Sequence, residues 1–264
     1  MRVRLAPFIW YSIALHGGVL VALAIWPGHW RWDLAALLLN HLVLMLAGLL
    51  PRCRLLGSNW TRLPAAAAAR GEVALTIDDG PDPLVTPLVL DLLDQYAARA
   101  TFFCVGTQVA RYPDLCRDIV RRGHAIENHS QQHKHHFSLL GMRGLQRELQ
   151  AAQATLEALC GVPPRFFRAP AGLRNPFLDP VLQRLGLQLV SWTRRAYDTR
   201  NGNAASVTRI LTRGLRAGDI LLLHDRHAAV TKQGVPVILE VLPLLLSALR
   251  AANLQAVTLR SAMR

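Results

Sequence analysis

The chain has 264 residues, 52% of them hydrophobic, and carries a formal net charge of +13 at pH 7. This length and apolar content exclude a disulfide-stapled miniprotein and a disordered chain, and leave room for one large α/β domain with a smaller appendage. The positive charge is almost entirely arginine, lysine occurring only at Lys134 and Lys232, and no segment interleaves basic and aromatic residues as nucleic-acid modules do, so no nucleic-acid partner is expected.

The first fifty residues stand apart. Residues 8–26 and 34–50 contain no Lys, Arg, Asp or Glu, and each run approaches the roughly 20 residues needed to cross a bilayer. The short loop between them carries Trp30 and Trp32, with Trp26 just before it, at positions suited to a membrane interface. A cleaved signal peptide is the other reading of the first run, but no small-x-small site flanks Pro27 and a second run follows at once. The expectation is a two-helix transmembrane hairpin over residues 1–55, then a linker over 56–71 that includes the alanine run 65–69. His41 beside Asn40, inside the second run, also allows a shallow or re-entrant hairpin. Arg2 and Arg4 precede the hairpin and Arg52, Arg54, Arg62 and Arg70 follow it, whereas the intervening loop has only Arg31, offset by Asp33. The positive-inside rule therefore places the following domain on the cytoplasmic face of a bacterial inner membrane. Cys53, Cys104, Cys116 and Cys160 show no paired spacing, which argues against a disulfide framework.

From residue 72 to 264 short apolar runs alternate with helical patterns. The predicted strands are 73–77, 100–105, 125–128, 165–168, 187–192, 220–223 and 256–259. The predicted helices are 87–98, 109–122, 145–159, 179–185, 205–216 and 235–252, with Gly123, Gly161, Gly186 and Gly218 near four helix ends. Such alternation means parallel strands with helical crossovers, and about seven units predict a closed or nearly closed (β/α) barrel.

Polar residues cluster at the predicted strand ends. Asp78-Asp79 close the first strand, His129 follows the third, Arg168 ends the fourth, Asp198 follows the fifth and His224-Asp225 end the sixth. Barrels of this type gather their C-terminal strand ends on one face, where the chemistry takes place. One carboxylate and two histidines from His129-Ser130-Gln131-Gln132-His133 supply a metal site, and the second carboxylate remains as a base. The i, i+4 spacing of the histidines predicts a helical turn with both rings on one side. His135 and His136 extend the cluster and are read as rim or solvated residues.

These motifs resemble, in order, those of the polysaccharide deacetylases, the chitin and peptidoglycan deacetylases of carbohydrate esterase family 4. The resemblance implies a distorted (β/α) barrel. In Thr76-Ile77-Asp78-Asp79-Gly80-Pro81 it makes Asp78 the general base and Asp79 a metal ligand, with Ile77 in place of an aromatic; His129 and His133 become the other two ligands. Zinc suits the ligand types best, and Co²⁺ or Mn²⁺ also fit. Arg168-Ala169-Pro170-Ala171-Gly172 matches the third motif, which implies that Arg168 holds the catalytic aspartate or its network, and that the Ala171 N–H helps bind the oxyanion. The fourth motif keeps Trp192, at the substrate side, and Asp198, which is left to orient a catalytic imidazole or to pair with Arg168. Arg195 and Thr199 replace its first aspartate and its tryptophan. The fifth motif makes His224 the general acid that protonates the leaving amine. The expected activity is metal-dependent hydrolysis of an N-acetyl or N-formyl group on an amino sugar or glycan. With the domain on the cytoplasmic face and Arg52, Arg54 and Arg62 beside the membrane, a lipid-linked amino sugar becomes the expected substrate. The alternatives are a periplasmic peptidoglycan or exopolysaccharide deacetylase and a catalytically inactive sugar-binding membrane module.

Overall fold

The computed structural model describes residues 3–264; Arg2, counted above toward the charge asymmetry, lies outside the described residues. Strands β1 (Glu72–Asp78), β2 (Thr101–Cys104), β3 (Ala125–Asn128), β4 (Phe166–Phe167), β5 (Gln188–Leu189), β6 (Arg194–Arg195), β7 (Ile220–His224) and β8 (Gln255–Val257) form one sheet. Its order is β5-β4-β3-β2-β1-β7-β6, every pairing is parallel, and β8 pairs with the start of β1. The seven strands of this path make the distorted (β/α) barrel. Trp60 bridges to Val190 in parallel and the Leu63 N–H donates to Gly218 O at 2.8 Å, so residues 60–63 join the β5 side to the start of β7.

The helices are α1 (Pro7–Ile25), α2 (Trp30–Leu49), α3 (Ala65–Ala69), α4 (Thr86–Gln95), α5 (Gly106–Arg111), α6 (Pro113–Arg121), α7 (Met142–Cys160), α8 (Leu178–Leu185), α9 (Ala204–Thr212) and α10 (Val237–Ala251). The helix predicted over 109–122 is two helices, because Pro113 forces its predecessor out of helical geometry: Tyr112 sits at φ −131°. β6 was not predicted, since two consecutive arginines do not read as a strand; its pairing with β7 carries them.

Strand periodicity sorts the side chains. Val73, Leu75 and Ile77 face the helices and join Phe102, Leu221 and Leu223 in the main core. The alternate positions face inward, where Ala74 packs with Phe103, Phe166 and Ile220. Thr76 and Asp78 continue that inward row toward the C-terminal end of β1. The buried carboxylate of Asp219 fastens the closure, taking Arg62 Nη1 at 2.6 Å and Arg194 Nε at 2.5 Å.

Both α1 and α2 are long and apolar enough to cross a membrane, with mean hydropathy 1.9 and 1.7 over the spans Pro7–Ile25 and Pro27–Leu49. They leave large side chains uncovered on their outer faces, Leu20 at 70% and Leu38 at 63% exposure. Between them Asn40 Nδ2 donates to Ser12 Oγ at 2.9 Å, and the rings of His16 and His41 meet edge to face at 5.2 Å. The pair is seated on the barrel at both ends. Gln183 of α8 exchanges hydrogen bonds with the Arg4 backbone at 2.8 and 2.7 Å. Past the C-terminus of α2, Pro51 O accepts from Ser191 Oγ at 2.5 Å and from Asn59 Nδ2 at 2.9 Å, and the Arg174 N–H donates to Gly48 O at 3.2 Å. Gly172, at φ +76°, makes this seat possible: a Cβ there would lie 2.6 Å from Trp192 and 2.8 Å from Pro51.

The core also contains a pH-sensitive group. His124 packs edge-on to Phe102 and accepts the Ala100 N–H at 3.2 Å. Burial, reinforced by the charge of Arg99, lowers its pKa from 6.5 to about 4. The neutral ring is thus preferred in the folded state, and its stabilisation is complete above the unfolded pKa. It is lost as pH falls from about 6.5 to about 4, amounting to about 3 kcal/mol at the acid end. Thermal unfolding in detergent at pH 7 and pH 4 is expected to show a smaller acid loss for His124→Asn than for the wild type.

Candidate active site

The parallel register of β1 and β7 puts Asp78 directly beside His224. The chain then turns: Asp79 takes φ +77°, a left-handed conformation that costs a non-glycine residue energy and redirects its side chain away from the strand alternation.

Arg168 underlies both strands' ends. Only 1% exposed, it donates from Nη1 to Asp78 Oδ1 at 2.6 Å and to Thr76 Oγ1 at 2.8 Å. Its remaining nitrogens reach Val190 O and Ser191 O at 3.2 and 3.0 Å, and its plane lies 4.2 Å over Phe103. Every contact holds the guanidinium flat inside the barrel, with one Asp78 oxygen committed to it and Oδ2 facing the site.

The two motif histidines meet without the helical turn expected from their spacing. Residues 129–133 form an irregular loop in which Ser130 (φ 66°) and His133 (φ 49°) are left-handed. Asn128 Oδ1 accepts the Ser130 N–H at 2.8 Å and Ser130 Oγ accepts the His133 N–H at 3.0 Å, so side chains rather than a backbone ladder set the loop. His129 Nδ1 lies 2.8 Å from Arg168 O; a carbonyl only accepts, so Nδ1 carries the proton and Nε2 is left as the donor lone pair. Both Nε2 atoms, of His129 and His133, lie 3.2 Å from Asp79 Oδ1. All three ligand atoms fall within 4.8 Å of one another. One carboxylate and two imidazoles at this spacing fit a small divalent cation with open coordination positions.

The electrostatics agree with that division. Burial penalises the Asp79 charge, but the neighbouring His129 and His227 imidazoles outweigh it and hold the carboxylate well below its usual range. Burial and the proximity of His129 lower His133 to about 4, leaving it neutral at physiological pH. His224 behaves oppositely. Burial opposes its charge, yet the hydrogen bond and charge of Asp198 raise its pKa overall. Asp198 clamps it twice, accepting from Nδ1 at 2.9 Å and from its backbone N–H at 2.7 Å; the structure places Asp198 on the imidazole and not on Arg168.

A cavity of about 300 Å³ joins Asp78, Asp79, His129, His133 and His224, bounded also by Ala171, Trp192, Arg195 and Arg200. Ala171 is left-handed at φ 54° and lies on the rim of the cavity. Of the outlying histidines, His135 lines the cavity and His136 does not. Two further residues bear on the site, His227, which belongs to none of the motifs, and Asp225, which closes the His224-Asp225 pair. His227 Nδ1 stands 3.5 Å from Asp79 Oδ2, although its side chain is mostly exposed. Asp225, fully buried behind the catalytic turn, is raised to about 7 by burial, against an opposing hydrogen bond from Thr86 at 2.5 Å. For His227 the sequence offers only its proximity to His224 at the end of β7.

Comparison with known proteins gives the same answer from a separate direction. The polysaccharide deacetylase family model matches residues 65–190. A peptidoglycan-N-acetylglucosamine deacetylase of Bacillus cereus is 37% identical over 155 residues, covering 58% of this chain and 72% of the relative. A chitooligosaccharide deacetylase of Azorhizobium caulinodans is 36% identical over 160 residues, covering 59% and 74%. Among solved structures, a family 4 carbohydrate esterase from Streptomyces lividans in complex with acetate superposes with a TM-score of 0.64 and 31% identity, covering 70% of this chain and 91% of that one. With its strand-end residues gathered in one cavity and relatives of this identity spanned over most of their length, the chain belongs to the polysaccharide deacetylase family of carbohydrate hydrolases.

Proposed function

We propose that the chain is a divalent-metal-dependent hydrolase that removes an N-acetyl or N-formyl group from an amino sugar, acting at the inner membrane on a lipid-linked substrate. The observation that carries the chemistry is the grouping of Asp79, His129 and His133 around one point, with Asp78 and His224 on either side of the same cavity. Relatives named for N-acetylglucosamine and chitooligosaccharide substrates support the sugar class.

Asp79, His129 and His133 would hold a divalent cation, which would supply Lewis-acid charge toward the acyl group. Asp78, oriented by Arg168, takes a proton through its free oxygen from the water that attacks the acyl carbon. Negative charge developing on the carbonyl oxygen is met by the backbone N–H of Ala171. His224 then gives its proton to the sugar nitrogen as the C–N bond breaks, and Asp198 stabilises the charged ring until that moment. The products are a carboxylate and a free amine. Trp192 walls the side on which the sugar would lie.

The membrane part of the reading rests on the apolar helices and the arginines around them. Arg52 and Arg54 make no ion pair among the described residues, whereas Arg62 is neutralised by Asp219 and contributes little to membrane attraction. The remaining asymmetry favours the cytoplasmic face.

Purified full-length protein is expected to release acetate or formate from acylated amino sugars and to lose that activity with a chelator. Asp78→Asn is expected to lower turnover by about 10²-fold or more; unchanged turnover refutes the base assignment. Asp198→Asn removes the support for the charged His224 ring, so the alkaline limb of the kcat/KM profile is expected to move toward lower pH. A C-terminal alkaline phosphatase fusion is expected to be inactive, and an active fusion reverses the sidedness.

A further inference from the structure

The catalytic cavity does not end at the barrel. Trp192 and Arg195 line it and also line a second groove of about 530 Å³, whose remaining wall is Leu50, Pro51, Arg52 and Cys53 past the end of α2, with Thr193 and Tyr197. Trp192 and Arg195 thus stand between this cavity and the segment that leaves α2, which forms the outer side of the second groove.

The charge of this groove has one sign. Its lining contains two guanidinium groups, those of Arg52 and Arg195, and no carboxylate. Arg195 is held between two aromatic rings, 5.0 Å from the centroid of Trp192 and 5.0 Å from that of Tyr197. It makes no ion pair among the described residues, and its Nε is buried without a hydrogen-bond partner. Arg52 has only a 3.3 Å contact to Thr193 O. A stacked guanidinium with no carboxylate partner keeps its charge uncompensated for an anion, and a phosphate takes guanidinium groups in pairs. Arg195 also stands where the related motif carries an aspartate, so the charge at this wall of the site is reversed.

We propose that Arg195 and Arg52 bind the phosphate of a sugar phosphate whose ester chain is a lipid lying along α2. This rests on the deacylase reading and narrows its substrate: the amino sugar occupies the cavity at Asp78 and His224, the anionic linker crosses the Trp192–Arg195 wall, and the hydrocarbon leaves past Leu50. Neutral glycans fill the inner site alone and forgo the arginine contacts.

Two measurements test it with the full chain in detergent micelles. In the first, deacetylation is compared for N-acetylglucosaminyl pyrophosphoryl farnesol, N-acetylglucosamine 1-phosphate, octyl N-acetylglucosaminide and chitotetraose. The farnesol pyrophosphate is expected to exceed each of the others in kcat/KM by about tenfold or more, and Arg195→Gln or Arg52→Gln to erase most of that preference. Equal use of the octyl glycoside, equal use of the sugar phosphate without lipid, or a preference that survives both substitutions overturns the proposal. In the second, farnesyl phosphate, farnesol and inorganic phosphate are bound in EDTA, so that metal ligation plays no part. Tighter binding of farnesyl phosphate than of either fragment, lost in both variants, is expected; indistinguishable binding of farnesyl phosphate and farnesol overturns the phosphate site. Arg52 is exposed, so its replacement reads the contact without disturbing the core. Absence of any deacetylation in the first measurement refutes the deacylase reading, while the second still decides the phosphate site.

Discussion

A single guanidinium buried in the barrel mouth sets the positions of everything around it. Arg168 ties the turn after β4 to the inward row of β1 and to the carbonyls after β5, through hydrogen bonds that no other side chain could make at once. Its backbone carbonyl fixes the tautomer of His129 as well. Taking a charge this far from water is costly, and breaking a pair like Arg168–Asp78 by removing one partner costs about 3–5 kcal/mol. The fold sustains the pair because both members are satisfied, and it registers Asp78 against the His129–His133 loop.

A second constraint lies in the strand register. Parallel pairing places Asp78 beside His224, while a positive φ at Asp79 sends the next carboxylate out of the strand. Adjacent aspartates would otherwise point to opposite faces of the sheet. The left-handed turn lets two neighbours in sequence line one cavity, Asp78 against Arg168 and Asp79 against the two motif histidines. The partition of pKa directions, with Asp79 held down and His224 raised, follows from what each faces.

Much of this could be read from the residues. Continuous apolar runs such as Val73 to Ile77 are what a doubly covered parallel strand requires, and the polar residues at their ends marked the site. What escaped had definite physical causes. The short strand Arg194–Arg195 is stabilised by its neighbour β7 and has no apolar pattern of its own. The helix break at Tyr112 was encoded by Pro113 but overridden in the reading by the flanking periodicity. The helical turn inferred from the histidine spacing fails because Asn128 and Ser130 hydrogen-bond the backbone themselves. His227 reaches Asp79 from a loop whose path no periodicity describes.

The seat of Pro51 against Gly172 and Trp192 makes the end of the N-terminal helices part of the barrel mouth. An anchor joined by a slack tether can be exchanged for another without changing the catalytic body. Here the segment that leaves α2 is masonry of the site, filling a notch that only glycine leaves open and closing one side of the approach to the cavity. A barrel trimmed of its hairpin to make it soluble would gain a wider mouth and a bare indole, and its substrate range would describe a different enzyme.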